Sequence, residues 1–253
     1  MSADSIVPQS SVHVSIENLR KSFGTKQVLK DVSFAVKRGE ILCVVGKSGT
    51  GKSVILKHLA GLMAPDSGRI FVDGEEFTAM TGDERAACAS KFGVLFQMGA
   101  LFDSMNIYDN VAFGIRRKGI SEDEISYIVP DLLSKVGLSG IEDKMPPELS
   151  GGMQKRAALA RSLAMKPEIM LYDEPTTGVD PITGGSVDRL ISEMNEKFAI
   201  TSIVITHDME SVLRIAHRVV MLHEGFVIFD GMPEELMRHD NPFIRQFVEG
   251  RAQ

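Results

Sequence analysis

Apolar positions along this chain form two kinds of run. Ile41-Leu42-Cys43-Val44-Val45, Phe92-Gly93-Val94-Leu95-Phe96 and Ile169-Met170-Leu171-Tyr172 are nearly continuous, the pattern of strands covered on both faces. Val12-His13-Val14-Ser15-Ile16-Glu17 alternates instead, which predicts a half-buried strand, and Val32-Ser33-Phe34-Ala35-Val36 predicts another. Further strands are expected at Arg69 to Asp73, ending in the hairpin turn signal Asp73-Gly74, and at Ile200 to Ile205. Arg218 to Leu222 and Phe226 to Asp230, around His223-Glu224-Gly225, read as a closing hairpin. Helical periodicity covers Val54 to Leu62 and Ser121 to Val136, where Ser121 and Glu124 form a capping box. More helices open at Leu149-Ser150-Gly151-Gly152-Met153, at Asp180-Pro181, and from Pro233 and Pro242.

Strand and helix alternate except between residues 98 and 165, which therefore read as an inserted helical lobe. The expected organisation is a polar, disordered N-terminus at 1–11, an α/β core at 12–97 and 166–240, the lobe at 98–165, and a tail at 241–253. The turns and strands after residue 66 add more β structure than a plain doubly wound domain carries. With 253 residues the chain is long enough for one large domain with such an insertion.

Charge and composition narrow the function classes. The net charge of −6 provides no global basic field for a nucleic-acid backbone. No apolar run reaches the ~18 residues that cross a bilayer, and MSADSIVPQSS lacks the regions of a signal peptide, so a cytosolic chain is expected. Cys43 and Cys88 lack metal-ligand spacing and read as core residues. The fourteen Met residues read mostly as core filler.

The chemistry concentrates at Gly46-Lys47-Ser48-Gly49-Thr50-Gly51-Lys52-Ser53, between a buried strand and a helix. That context is what a phosphate-binding loop requires. The glycines let successive N–H groups turn inward around an anion, and the helix N-terminus adds its dipole. Lys52 is placed to reach the terminal phosphates and Ser53 to put a hydroxyl on Mg2+. ATP or GTP binding follows.

Other candidates are read against blander alternatives. Asp173-Glu174 ends a buried strand, where two acids are costly without a role; Asp173 suits the Mg2+ shell and Glu174 can polarise an attacking water, against a solvated turn. Gln97 and His207 stand at strand C-terminal ends, where open α/β sheets bind ligands. Gly151 and Gly152 weaken a helix's first turn unless the backbone meets something closely, which suggests a second anion site or simply a flexible turn. Asp180 is explained as a helix cap. Phe23 can stack on adenine or plug the core. The apolar stretch 98–115 is a packed helix or a groove for a partner's helix.

The set GKSGTGKS, Gln97, LSGGM, IMLYDE, Asp180 and His207, in that order, resembles the nucleotide-binding subunit of ATP-binding cassette transporters over residues 12 to 240. The resemblance implies a RecA-like P-loop NTPase core with an antiparallel β subdomain and an inserted α-helical lobe. It also implies two subunits that sandwich two ATP molecules. Phe23 would stack on adenine; Gly46, Lys47, Ser48, Gly49, Thr50, Gly51, Lys52 and Ser53 would hold phosphates and Mg2+; Gln97 would sense the metal and the membrane partner. Ser150, Gly151 and Gly152 would cap the γ-phosphate of the other subunit, Asp180 would lie at the seam, and Glu174 with His207 would run hydrolysis. Met153 stands where the family usually has Gln, and Phe23 where it commonly has Tyr; neither change removes a phosphate contact.

LFQMGALFDSMNIYDNVAFGIR and LSGGMQKRAALAR are similar to the ATPase of Mla-type phospholipid transporters. Such systems work between the inner and outer membranes, with a polytopic permease and an MCE lipid-binding protein. On that likeness the subunit sits peripherally on the cytoplasmic face of the inner membrane, and Leu101, Phe102, Met105 and Tyr108 receive the permease's coupling helix. Some members also carry a STAS-domain regulator on the helical lobe. Competing expectations are the ATPase of an amino-acid or other small-solute importer, a soluble cassette protein of DNA repair or translation, and a nucleotide-gated module that barely hydrolyses. The acidic balance and the lack of a long coiled-coil insertion stand against the third, and intact Glu174 and His207 against the fourth.

Overall fold

The protein is described from a computed structural model, which covers residues 11–250. The expected disorder of residues 1–11 lies outside these residues except at Ser11. The centre of the fold is β3 (Ile41–Val45), every residue of which is buried. Its alternating side chains feed two cores. Ile41, Cys43 and Val45 join one cluster, while Leu42 and Val44 join the other. That is why the run shows no polar positions.

Around β3 the parallel strands are β6 (Phe92–Leu95), β7 (Ile169–Asp173), β8 (Thr201–Ile205) and β9 (Arg218–His223). β10 (Phe226–Gly231) returns antiparallel to β9 and makes one parallel bridge to β2 (Lys26–Lys37). β2 belongs to an antiparallel layer with β1 (Val12–Phe23), β4 (Ser67–Val72) and β5 (Glu75–Glu76). Together they form a ten-stranded sheet in the order β5-β4-β1-β2-β10-β9-β3-β8-β7-β6.

One core packs α1 (Lys52–Leu59) between the parallel strands and the antiparallel layer, through Ile55, Leu56 and Leu59. The other receives α3 (Ile107–Arg117), α4 (Glu122–Lys135), α5 (Gly151–Ala164) and α6 (Pro181–Phe198), through residues such as Val111, Val129, Leu159 and Ile191. Short helices α2 (Gly82–Ala89), α7 (Met209–Ile215), α8 (Pro233–Met237) and α9 (Pro242–Val248) complete the described chain. Among its helices none is long and apolar enough to cross a membrane.

Two strand expectations were too short. β1 continues through Arg20 to Phe23, and β2 begins at Lys26, so the segment between the two expected strands is the end of a long hairpin. Register shifts after Ile16 and after Leu19 absorb the broken alternation there, which is why the pattern by itself stopped at Glu17.

His13 joins the two layers at the end of the sheet away from the strand C-termini. Its Nδ1 lies 2.7 Å from Thr201 Oγ1, and its Nε2 lies 3.5 Å from Asp73 Oδ1 and 3.7 Å from Glu168 Oε2. Arg38 and Lys91 both pair with Asp73 at the same place.

Candidate nucleotide site

At the C-terminal ends of β3, β6, β7 and β8 the structure opens a cleft of about 710 Å3, within the ~300–1,000 Å3 usual for ligand pockets. Its floor is the loop that leaves β3. Gly51, the N-cap of α1, has φ 102°, and a Cβ there would fall 2.5 Å from Leu29 Cδ2. Only glycine satisfies both demands. Lys52 is buried, and its Nζ donates to the carbonyls of Gly46 (2.7 Å) and Lys47 (3.1 Å). Burial lowers its pKa, against the opposing pull of the Glu174 and Asp173 charges.

Ser53 follows on the same helix, and its hydroxyl donates to Asp173 Oδ1 at 2.9 Å. Burial raises the Asp173 pKa and the Glu174 charge adds to this, while the Ser53 bond opposes it. The Asp173 carboxylate with the Ser53 hydroxyl on it, and the Gln97 amide on the wall of the cleft, supply hard oxygen donors of the sort Mg2+ takes.

Glu174 carries the backbone strain of the site. Its φ is 50°, a region that costs a non-glycine residue of order 1–3 kcal/mol. Its N–H donates to Ile205 O at 2.8 Å, which ties the turn that follows β7 to the end of β8. The side chain is fixed twice: Oε2 accepts from Thr177 Oγ1 at 3.1 Å and lies 2.8 Å from His207 Nδ1. Glu174 is largely covered whereas His207 is 61% exposed, so the pair spans the boundary between turn and cleft. Thus Lys47, Ser48, Gly49, Gly51, Lys52, Ser53, Gln97, Glu174 and His207 all line one cleft. Gly46 and Thr50 complete its floor loop, with the Thr50 hydroxyl donating to Lys47 O.

Other expected site residues lie elsewhere. Phe23 is 47% exposed at the end of β1 and is not on the cleft wall. Ser150 caps α5 by accepting from Met153 N–H, while Asp180 caps α6 by accepting from the N–H groups of Ile182 and Thr183 and from the Thr183 hydroxyl. Those bonds hold the Asp180 pKa down. Gly152 has a reason inside its own chain, since a Cβ there would collide with Thr183 Cγ2. Gly151 faces open space.

The apolar stretch after Gln97 is partly turned inward. Leu101 and Tyr108 pack against the core, leaving Phe102 and Met98 as its large exposed side chains. Asn110, fully buried, accepts from Phe102 N–H and donates to the carbonyls of Phe102, Met105 and Asn106, so the loop is shaped from beneath. Arg161 of α5 donates to the carbonyls of Gly99 and Ala100.

Several residues of the site had no sequence signal, among them Val28, Thr177, Gln246 and Phe247 on the cleft wall and Lys155 behind it. Lys155, buried on α5, donates to the carbonyls of Pro175 and Thr177 and so ties the glycine-led helix to the loop that positions Glu174. Among the arginines and lysines of α5 nothing marks it; only a lysine at burial depth needs carbonyl partners, and depth is a tertiary property.

A phosphate loop, a strand-end acid pair and an inserted helical lobe on one mixed sheet define a P-loop nucleotide hydrolase. Residues 29–177 match the family model described as ABC transporter. The intermembrane phospholipid transport system ATP-binding protein MlaF of Escherichia coli (strain K12) is 39% identical over 230 residues, 90% of this chain and 86% of that one. The probable ribonucleotide transport ATP-binding protein mkl of Mycobacterium tuberculosis (strain ATCC 25618 / H37Rv) is 42% identical over 241 residues, 95% of this chain and 67% of that one. Among solved structures, the ATP-binding cassette MJ0796, seen as a dimer in a post-hydrolysis state bound to ADP and Pi, superposes with a TM-score of 0.80 at 30% identity, covering 87% of this chain and 98% of that one. The chain belongs to the ABC transporter family. It is an ATP-binding and ATP-hydrolysing subunit of an ABC transporter.

Proposed function

We propose that this subunit energises phospholipid transport between two membranes, as one of two copies bound to a polytopic permease on the cytoplasmic face of the inner membrane. The carrying observation is the likeness to MlaF across 86% of that protein's length. An MCE lipid-binding protein in the complex, and a STAS-domain regulator on the helical lobe, belong to the same reading. In it, residues 12–97 and 166–240 act as the ATPase core and 98–165 as the lobe that moves against it.

Within the site, Glu174 is the general base and His207 its orienting partner near the γ-phosphate. Lys52 and the loop amides hold the phosphates. Ser53, Asp173 and Gln97 would hold Mg2+, which supplies positive charge against the phosphate oxygens when bound. Ser150, Gly151 and Gly152 face the nucleotide of a second copy, with Asp180 at the seam and Phe23 beside the adenine. Open space beyond Gly151 supports this, because a γ-phosphate of another chain has room to approach there. Phe102, with Met105 beside it, presents the permease contact, backed by Leu101 and Tyr108.

The mkl likeness favours a second reading, transport of a small solute such as a nucleotide. Purifying the detergent-solubilised complex from its native membrane and identifying partners and bound lipid separates the two. A permease with an MCE protein and phospholipid supports lipid transport. A permease with a soluble solute-binding protein moves the assignment to solute import.

A further inference from the structure

The last helix of the described chain reaches back to the phosphate loop. Ile244 of α9 is fully buried, and the Phe243 ring lies 3.7 Å from the imidazole of His223 at the end of β9. Lys47, the second residue of the phosphate loop, places its Nζ 5.2 Å from the centre of the same ring. A cation over an aromatic face is attracted by the ring quadrupole. These contacts seat α9 against the loop, and Gln246, Phe247 and Gly250 join Val28 and the phosphate loop in lining the cleft.

The lining has a division of labour. Phosphates are served by the loop amides, Lys52 and Ser53. The rest of a nucleotide is a flat base and a ribose, which need apolar surface and hydrogen-bond partners. Phe247 is the one phenyl ring among the described residues that line the cleft, half-buried and packed on one side against the core; Val28, which lines the same cleft, packs over Gly51. The half-buried Gln246 carboxamide makes no hydrogen bond to another described residue. An apolar ring and a spare amide, adjacent in sequence and facing the same cleft, match the nucleoside half of the ligand.

We propose that α9 is part of the nucleotide site: Phe247 adds a second ring to the nucleoside besides the adenine contact assigned to Phe23, Gln246 hydrogen-bonds its polar edge, and the Lys47–Phe243 contact holds the helix in place. The proposal rests on the nucleotide reading of the cleft. The C-terminal segment then sets ATP affinity directly, and ATP binding in turn fixes that segment on the core.

The test uses the full chain, with ATP and inorganic tripolyphosphate as separate probes in titration calorimetry. Stacking of a base on an aromatic ring is worth ~1–3 kcal/mol, so Phe247→Ala should weaken ATP binding by about 5- to 100-fold. Tripolyphosphate should bind that variant as it binds the wild type, which also reports an intact loop. Phe247→Tyr should restore ATP affinity, and Gln246→Ala should lower it by a smaller factor. Unchanged ATP affinity in Phe247→Ala overturns the proposal. So does parallel loss of both probes with no recovery in Phe247→Tyr, because the helix would then only be propping the loop. If wild type binds both probes and Lys52→Ala neither, the nucleotide reading stands whatever Phe247 does. If wild type binds neither, that reading itself fails.

Discussion

His207 Nδ1 and Glu174 Oε2, 33 positions apart in the chain, lie 2.8 Å from each other at the ends of neighbouring parallel strands. The contact is available because Glu174 adopts a positive φ that turns its side chain off the strand line. With Thr177 on the same oxygen, the carboxylate has few orientations left. Glu174→Gln should therefore keep ATP binding while lowering turnover about 10²- to 10⁴-fold, the usual worth of a positioned base. Phosphate release under saturating ATP measures it, and wild-type turnover in that variant places the base elsewhere.

Lys52 tests the phosphate end of the cleft. Its Nζ rests on two loop carbonyls, which places the cation at the floor of the cleft. Hydrogen bonds to charged groups are worth about 1.5–3 kcal/mol; Lys52→Ala should weaken ATP binding by roughly 10- to 100-fold. Equilibrium titration showing wild-type affinity counts against the phosphate-loop role.

The paired glycines of α5 should separate in behaviour. Gly152→Ala drives a methyl into Thr183, an overpacking that typically costs about 1–3 kcal/mol. Gly151→Ala meets nothing in its own chain and should stay within about 0.5 kcal/mol of wild type in urea unfolding. Gly151→Asp should leave ATP binding in place and abolish turnover, since the new carboxylate repels the partner's γ-phosphate. Full turnover in Gly151→Asp removes Gly151 from the seam.

Acid should loosen the join between the two layers of the sheet. His13 is buried, and burial first, then the Arg38 charge, lowers its pKa below the ordinary 6.5; Asp73, Glu168 and Lys91 also face it. The unfolded chain therefore takes up the proton first, and folded-state stability declines as pH falls below about 6.5, down to the lowered folded value. Asp73 adds to the trend lower down. Burial alone would raise its pKa, but the Lys91 bond and the charges of His13, Lys91 and Arg38 outweigh that and bring it below 3.8. Its contribution is thus complete above pH 3.8 and lost as pH falls through the folded pKa. Urea midpoints at about pH 7.5 and about pH 5.5 should differ less in His13→Gln than in wild type. An equal difference in both assigns the acid sensitivity to other groups.

Much of the site was legible because its signals are local. A glycine-spaced loop between a buried strand and a helix announces phosphate binding, since the backbone geometry is encoded in consecutive residues. Gln97 and His207 were recognisable by standing at the ends of apolar runs. What escaped was contact between distant elements. No periodicity marks Lys155 as the residue that meets Pro175 and Thr177. Leu101 and Tyr108 look alike in sequence to exposed Phe102, and only packing turns two of them inward.

By itself, then, the sequence determined the class of chemistry and most of the strands and helices, with α2, α7 and β5 unforeseen, because side-chain period and loop glycines are properties of neighbouring residues. Tertiary structure decided which side chains converge. It brought Ser53 onto Asp173 across 120 positions, gave Gly152 a neighbour in Thr183, and carried α9 of the expected tail at 241–253 onto the phosphate loop. Those pairings depend on burial and close packing across the whole fold, which no stretch of the chain contains alone.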